Sequence, residues 1–177
     1  MSFNITDFSG KVKAGLQRQY MFKAEFYPPD TFGDNDLISA LVETTSMPPK
    51  NVTPVEANFM GQQYKIAGNL EFPDWTVTFR IDGEYKIYNI MRSWVDGIRN
   101  PDTNALALPA IYKRPITLLK LKGDDLNTTV WTLKLFGAFP SSIGEVTLDT
   151  KTAELQSFQV TFAYDYNTWK LGKEDGI

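Results

Sequence analysis

The stretch from Trp75 to Ile81, WTVTFRI, alternates strictly, with Trp75, Val77, Phe79 and Ile81 on one face and small polar or charged residues on the other. A period of two that combines β-branched and aromatic residues specifies a half-buried strand. The pattern recurs late in the chain, where Leu155 to Tyr166 points Phe158, Val160, Phe162 and Tyr164 inward and Gln159, Thr161 and Asp165 outward. It occurs early as well: Tyr20, Phe22, Ala24 and Phe26 share one face, Met21, Lys23 and Glu25 the other. Ile116–Lys122 and Thr129–Phe136 read as a hairpin around GDDLN, and GAFPSSIG (137–144) as a turn-rich crossing. A further strand is predicted from Leu37 to Thr45, ending before Pro48 and Pro49, which cannot donate to a ladder.

Helical spacing appears convincingly in one place. Ile87, Met91, Trp94, Val95 and Ile98 form an apolar stripe behind Asp82, a good N-cap, and Asn100-Pro101 ends the segment. Residues 84–99 would make a helix about 24 Å long, enough to cover one face or mouth of a β-domain. Seven or eight strands and one amphipathic helix, separated by frequent turn signals, predict a mainly β sandwich or barrel. With 177 residues and no internal repeat, a single domain spanning 1–177 is expected. Residues 1–19 read as an N-terminal arm and residues 167–177 as a C-terminal tail.

Residues 51–68, within NVTPVEANFMGQQYKIAGNLEF, hold two extended runs around Met60-Gly61, and glycine there supports a hairpin turn. Val55, Phe59, Met60 and Tyr64 are large apolar groups in a hairpin with few flanking partners. They either pack on the domain's own core or project and bury against a neighbouring copy.

Composition removes several functions. The chain has no cysteine and no histidine, which excludes disulfides, Cys/His zinc sites, thiol nucleophiles and a Ser-His-Asp triad. Asp124-Asp125 lies in a turn, and Asp34-Asn35-Asp36 lacks the later Gly and Glu of a calcium loop. No phosphate-binding glycine pattern occurs, so neither cofactor nor metal is expected. No apolar stretch approaches the ~20 residues of a membrane span, and the start has no signal-peptide pattern, so synthesis in the cytoplasm is expected. A net charge of −3 with scattered lysines and arginines argues against tight binding of nucleic acid.

One set of motifs goes further. NFMGQQYKIAGNLEFPDWTVTFRID carries Phe59-Met60 at a turn, the step Ala67-Gly68, and the strand Asp74-Trp75-Thr76-Val77-Thr78. GAFPSSIGEVTLDTKTAELQSFQVTFAYDY carries Pro140, Gly144-Glu145, Leu148-Asp149 and Phe158-Val160-Thr161. Together with the helix holding Trp94, these resemble, in order and spacing, the tail tube proteins of contractile-tailed bacteriophages. The resemblance covers most of residues 20–166.

What the resemblance implies is a two-sheet subunit whose inner sheets join into a shared ring barrel in a hexamer. Rings would stack into a channel through which DNA passes without specific binding. Implied partners are other copies of the chain and the sheath, baseplate and tail-terminator proteins, in a virion tail assembled in the host cytoplasm. The hairpin, through Val55, Phe59, Met60, Gly61 and Tyr64, becomes the expected contact between subunits or rings. Glu25, Glu43, Glu56 and Asp165, on polar strand faces, are candidates for an acidic lumen lining that repels phosphate. A baseplate tube-initiator, a terminator ring and the inner tube of a bacterial injection system share these expectations. A β-barrel small-molecule carrier would instead be a monomer with a filled pocket. A hydrolase would need a carboxylate pair outside turns, and the sequence offers none.

Overall fold

A computed structural model describes residues 16–29, 35–123, 125–151 and 153–172. Its elements, in chain order, are β1 (Phe22–Phe26), α1 (Asn35–Ala40), β2 (Val42–Thr45), β3 (Asn51–Phe59), β4 (Gln62–Glu71), β5 (Trp75–Arg80), α2 (Lys86–Ile98), α3 (Pro109–Tyr112), β6 (Arg114–Lys122), β7 (Asp125–Ile143), β8 (Ser157–Ala163) and β9 (Tyr166–Leu171). The fold is mainly β, in two layers.

The long strand β7 belongs to both layers. Its first half pairs with β6 on one side and β9 on the other, and its second half pairs with β8. One layer is therefore β1-β6-β7-β9 and the other β7-β8-β5-β2, all antiparallel. Residues 137–144, expected as a turn-rich crossing, do cross between layers, but mostly as continued strand. Gly137, at φ 66°, supplies the bend without breaking the chain out of the sheet.

Between the layers the alternating residues meet. Phe26 lies against Trp75, Phe79 and Phe162, with ring centroids 5.4–6.0 Å apart. Phe79 packs on Phe158, and Trp94 of α2 on Phe162. Ring packing fills the sandwich at distances typical of favourable aromatic pairs. The indole N–H groups are satisfied at the margins: Trp75 Nε1 donates to the Ser46 carbonyl at 2.7 Å and Trp94 Nε1 to the Tyr112 carbonyl at 3.0 Å.

Helix α2 buries Ile87, Ile90, Met91 and Trp94. Asp82 caps it from a distance: Tyr85, in a left-handed conformation, precedes the first turn, and the Asp82 carboxylate accepts the N–H groups of Lys86 and Ile87, each at 3.1 Å.

Several boundaries differ from the sequence reading. The strand expected over Leu37–Thr45 divides into α1 and β2, because Ile38 reaches the core from a helical turn and only Val42–Thr45 pairs with β5. The strand expected over Leu155–Tyr166 divides at Tyr164-Asp165 into β8 and β9, one in each layer. The C-terminal tail starts later than residue 167, since Asn167–Leu171 pair with β7. Tyr20 is exposed and Met21 buried, so the early alternation begins at Phe22, two residues later than its pattern suggested. Residues 1–15 of the N-terminal arm, and Asp34 and Asp124, lie outside the described residues. Asp125 does serve a turn, its carboxylate accepting the Asn127 N–H and the Thr128 hydroxyl. Among the described residues no helix is long and apolar enough to cross a membrane.

Candidate assembly surfaces

Among the described residues, strands β3 and β4 pair with each other only, as a two-stranded sheet apart from the sandwich layers. Met60 and Gly61 form the two-residue turn at φ 47° and 78°. Two successive positive φ values are the hairpin geometry whose twist matches its flanking strands. Lower in the hairpin the register shifts between Val52 and Pro54. There a Cβ added to Gly68 would collide with the Thr53 carbonyl oxygen and lie 2.8 Å from Val55 Cγ2, so the backbones approach closely only because residue 68 is glycine.

Register fixes which side chains share a face. Val55 lies opposite Ile66, Ala57 opposite Tyr64 and Phe59 opposite Gln62, while the alternate pairs are Glu56–Lys65 and Asn58–Gln63. Paired residues point the same way and successive residues opposite ways. The hairpin is thus amphipathic, with Val55, Tyr64, Phe59 and Ile66 on one side and an ion pair with two amides on the other. Among the described residues nothing covers the apolar side: Phe59 is 71% exposed and Met60, at the tip, 89%. Of the contact residues read from sequence, Val55, Phe59 and Tyr64 come to one face, with Met60-Gly61 at its end. Ile66 was missed, although it continues the period-two pattern from Tyr64.

The second surface is the edge of a layer. In the sheet β1-β6-β7-β9, each end strand has one edge with no strand partner among the described residues. An open cleft of about 740 Å³ adjoins the β1 edge, with β2 on its far side, lined among others by Phe22, Ala24, Val42, Met47 and Leu118. At the opposite edge, Trp169 and Leu171 stand in register with Leu133 and Trp131, on the core side of the sheet. They are nevertheless 61% and 78% exposed, because the other layer does not extend over β9. Their alternation was hidden in a segment expected to be a tail.

The four acids proposed for a lumen are not brought together. Glu25 is on β1, Glu43 on β2, Glu56 on the hairpin and Asp165 at the β8–β9 corner. Each also has a cation: Lys23 Nζ lies 2.9 Å from Glu25, Arg80 3.2 Å from Glu43, Lys65 3.6 Å from Glu56 and Lys113 2.6 Å from Asp165. The hydrogen bond from Lys23 to Glu25 holds that ammonium above its usual value. Burial first, and then the Glu25 carboxylate, push the Tyr27 phenol up. Four paired carboxylates on four elements do not form one acidic surface.

With this geometry in view, the comparisons decide the family. The family model for phage tail tube proteins matches residues 7–170. The chain belongs to the phage tail tube protein family. Tail tube protein gp19 of Enterobacteria phage T4 is 30% identical over 128 residues, covering 70% of this chain and 77% of that one. Its counterpart in Enterobacteria phage T6 aligns to the same extent. Among solved structures, a chain of the anti-feeding prophage tube-terminating cap superposes with a TM-score of 0.66 at 19% identity, covering 88% of this chain and 91% of that one. A chain of the sheath–tube complex of an extracellular contractile injection system, in its extended state, gives 0.64 at 14% identity over 96% and 99%. These two share the fold. The tail tube role of the chain is structural, as the family and its gp19 relatives indicate.

Proposed function

We propose that this tail tube protein closes into hexameric rings that stack into the DNA-conducting channel of a virion tail, without catalysing any reaction. The observation that carries the proposal is the amphipathic hairpin, whose apolar side has no cover among the described residues. An uncovered apolar face on an otherwise well-packed domain marks a contact with another molecule. Because the hairpin and any surface receiving it are different patches, the contact is head-to-tail. Repeated, such contacts extend a filament and do not end at a dimer.

Ring closure is supported by the edges of β1 and β9, which have no strand partner among the described residues. Pairing β9 of one copy with β1 of the next would extend the sheet and remove both unpaired edges. It would also carry Trp169 and Leu171, on the core side of β9, over the cleft beside β1. In such a ring the opposite face of the same sheet lines the channel. Sheath, baseplate and terminator proteins are the expected partners along the outer wall and at the ends, with assembly in the host cytoplasm. DNA passes without sequence-specific contact.

Negative-stain microscopy of the purified protein tests this reading. Stacked rings with an open centre are expected; uniform monomers at high concentration would overturn it. The solved relatives include both a tube-terminating cap and a sheath–tube complex on one fold. Polymer length therefore separates the roles: long tubes mark a main tube protein, and rings that never lengthen mark a terminator or initiator.

A further inference from the structure

Two exposed apolar features lie at opposite ends of the layer β7-β8-β5-β2. Trp75 pairs with Phe162 at one end of that layer and Arg80 with Ser157 at the other. The hairpin leaves from the first end, between Thr45, where β2 stops beside Val77, and Trp75, where β5 starts. Every residue of β3 and β4 except Gly68 is exposed, so the hairpin does not fold back over the layers. The second end carries the loop 144–156. The Gly144 N–H donates to the Gln159 carbonyl at 2.6 Å, and the Gln156 carbonyl accepts the Ile81 N–H at 3.0 Å, so the loop is anchored on both sides. Leu148 and Leu155 stand exposed on it. Tyr85, before the first turn of α2, reaches the same loop, its hydroxyl donating to Gln156 Oε1 and its ring meeting Tyr88 edge-on.

The same two places hold large side chains at left-handed backbone positions, Met60 at φ 47° and Tyr85 at φ 55°. Among the described residues the third non-glycine of this kind is Asn104, a residue type that adopts the conformation readily. A bulky side chain there is strained, and such strain gathers at functional sites. We infer that the hairpin tip of one copy docks on the 144–156 loop of a copy in the next ring, with Met60 against Leu155, Leu148 and Tyr85. This contact rests on the tube reading above and names the surface that receives the hairpin. Features at opposite ends of one subunit meet when copies stack in a common direction. The nine residues of β3 span about 30 Å, enough to carry the tip beyond its own domain. A thioether packs well against aromatic and aliphatic groups. Three receiving side chains supply less than the roughly 800 Å² per partner of a stable interface. Two isolated subunits should therefore not hold together this way, and stacking engages all copies of a ring at once.

Thiol crosslinking tests the contact, since the chain has no cysteine of its own. Met60→Cys with Leu155→Cys, assembled and treated with a short bis-maleimide, should give a ladder of covalent multimers, because each copy both offers a tip and receives one. Met60→Cys with Leu106→Cys, at an exposed position on the loop before α3, should give no ladder. Leu148→Ser with Leu155→Ser should leave the melting temperature of the free subunit near wild type. It should still allow single rings, whose sheet edges are untouched, and stop them from stacking. Met60→Asn supplies the preferred Asn-Gly turn, so the subunit should melt no lower, while the critical concentration for tubes rises on the order of tenfold. Tubes that lengthen normally with both serines in place would overturn the inference, because the loop would then serve another partner. A ladder from the Leu106 pair and none from the Leu155 pair would overturn it as well. If wild type forms no rings at all, the tube reading itself falls, and this contact with it.

Discussion

The Asp165 carboxylate occupies the space that a side chain at Gly137 would need. A Cβ built on Gly137 would lie 2.8 Å from Asp165 Cγ and closer still to Oδ2. The carboxylate cannot easily turn away, because Lys113 Nζ holds its two oxygens at 2.6 and 2.9 Å and the Asp165 N–H donates to the Phe136 carbonyl at 2.9 Å. This is where β7 bends from one layer to the other and where the chain passes from β8 to β9.

Gly137→Ala should therefore destabilise the subunit on two counts. The left-handed φ of 66° costs a residue with a Cβ about 1–2 kcal/mol, and the methyl group must displace Asp165 from Lys113. Urea unfolding should show a lower midpoint with an unchanged slope. Gly83→Ala, where the added Cβ meets nothing within 4 Å, should stay close to wild type. An equal midpoint for Gly137→Ala would mean that the bend does not depend on this contact.

Asp82 gives the fold an acid-sensitive helix cap. Burial disfavours its charge, but the backbone N–H groups of Ile87 and Lys86 outweigh that and hold the carboxyl below its ordinary 3.8. A depressed folded-state value means that the stabilisation is present above the unfolded value and is lost as pH falls through the folded one. Asp82→Ala should cost about 1 kcal/mol near neutrality. Asp82→Asn keeps an acceptor without a charge, so its deficit relative to wild type should shrink as pH drops below 3.8. Thermal unfolding followed across that range checks the sign, and a deficit that stayed constant would contradict it.

What was legible in the sequence follows from where the local signal and the tertiary constraint agree. Trp75–Ile81 and Phe158–Phe162 were plain because burial of one face in a sandwich imposes strict alternation on both. Leu37–Thr45 was misread as one strand, since a single turn of helix carrying Ile38 leaves no periodic trace in six residues. The break at Asp165 was invisible because alternation continues through Tyr164 and the corner depends on Gly137, far away in sequence. The hairpin was found from its glycine and its unexplained apolar residues. The four acids named as lumen candidates lie on separate parts of the fold, because which strands share a face is set by sheet order. No local pattern encodes that order: β1 and β9, from opposite ends of the chain, border the same sheet.

Phe59→Asp with Met60→Asp should separate assembly from folding. Both side chains are exposed, and neither contributes to the buried core, so the melting temperature of the free subunit should stay near wild type. Tube formation should be lost, because two charges would be placed on the apolar side and tip that a neighbour must bury, and an unpaired charge is costly to desolvate. Glu56→Gln, on the polar side, removes an exposed ion pair with Lys65 and should leave tubes intact. Sedimentation and microscopy of the two variants side by side provide the comparison. If the double aspartate variant polymerises as wild type does, the hairpin is not an assembly contact; if Glu56→Gln also fails, the buried side has been assigned to the wrong face.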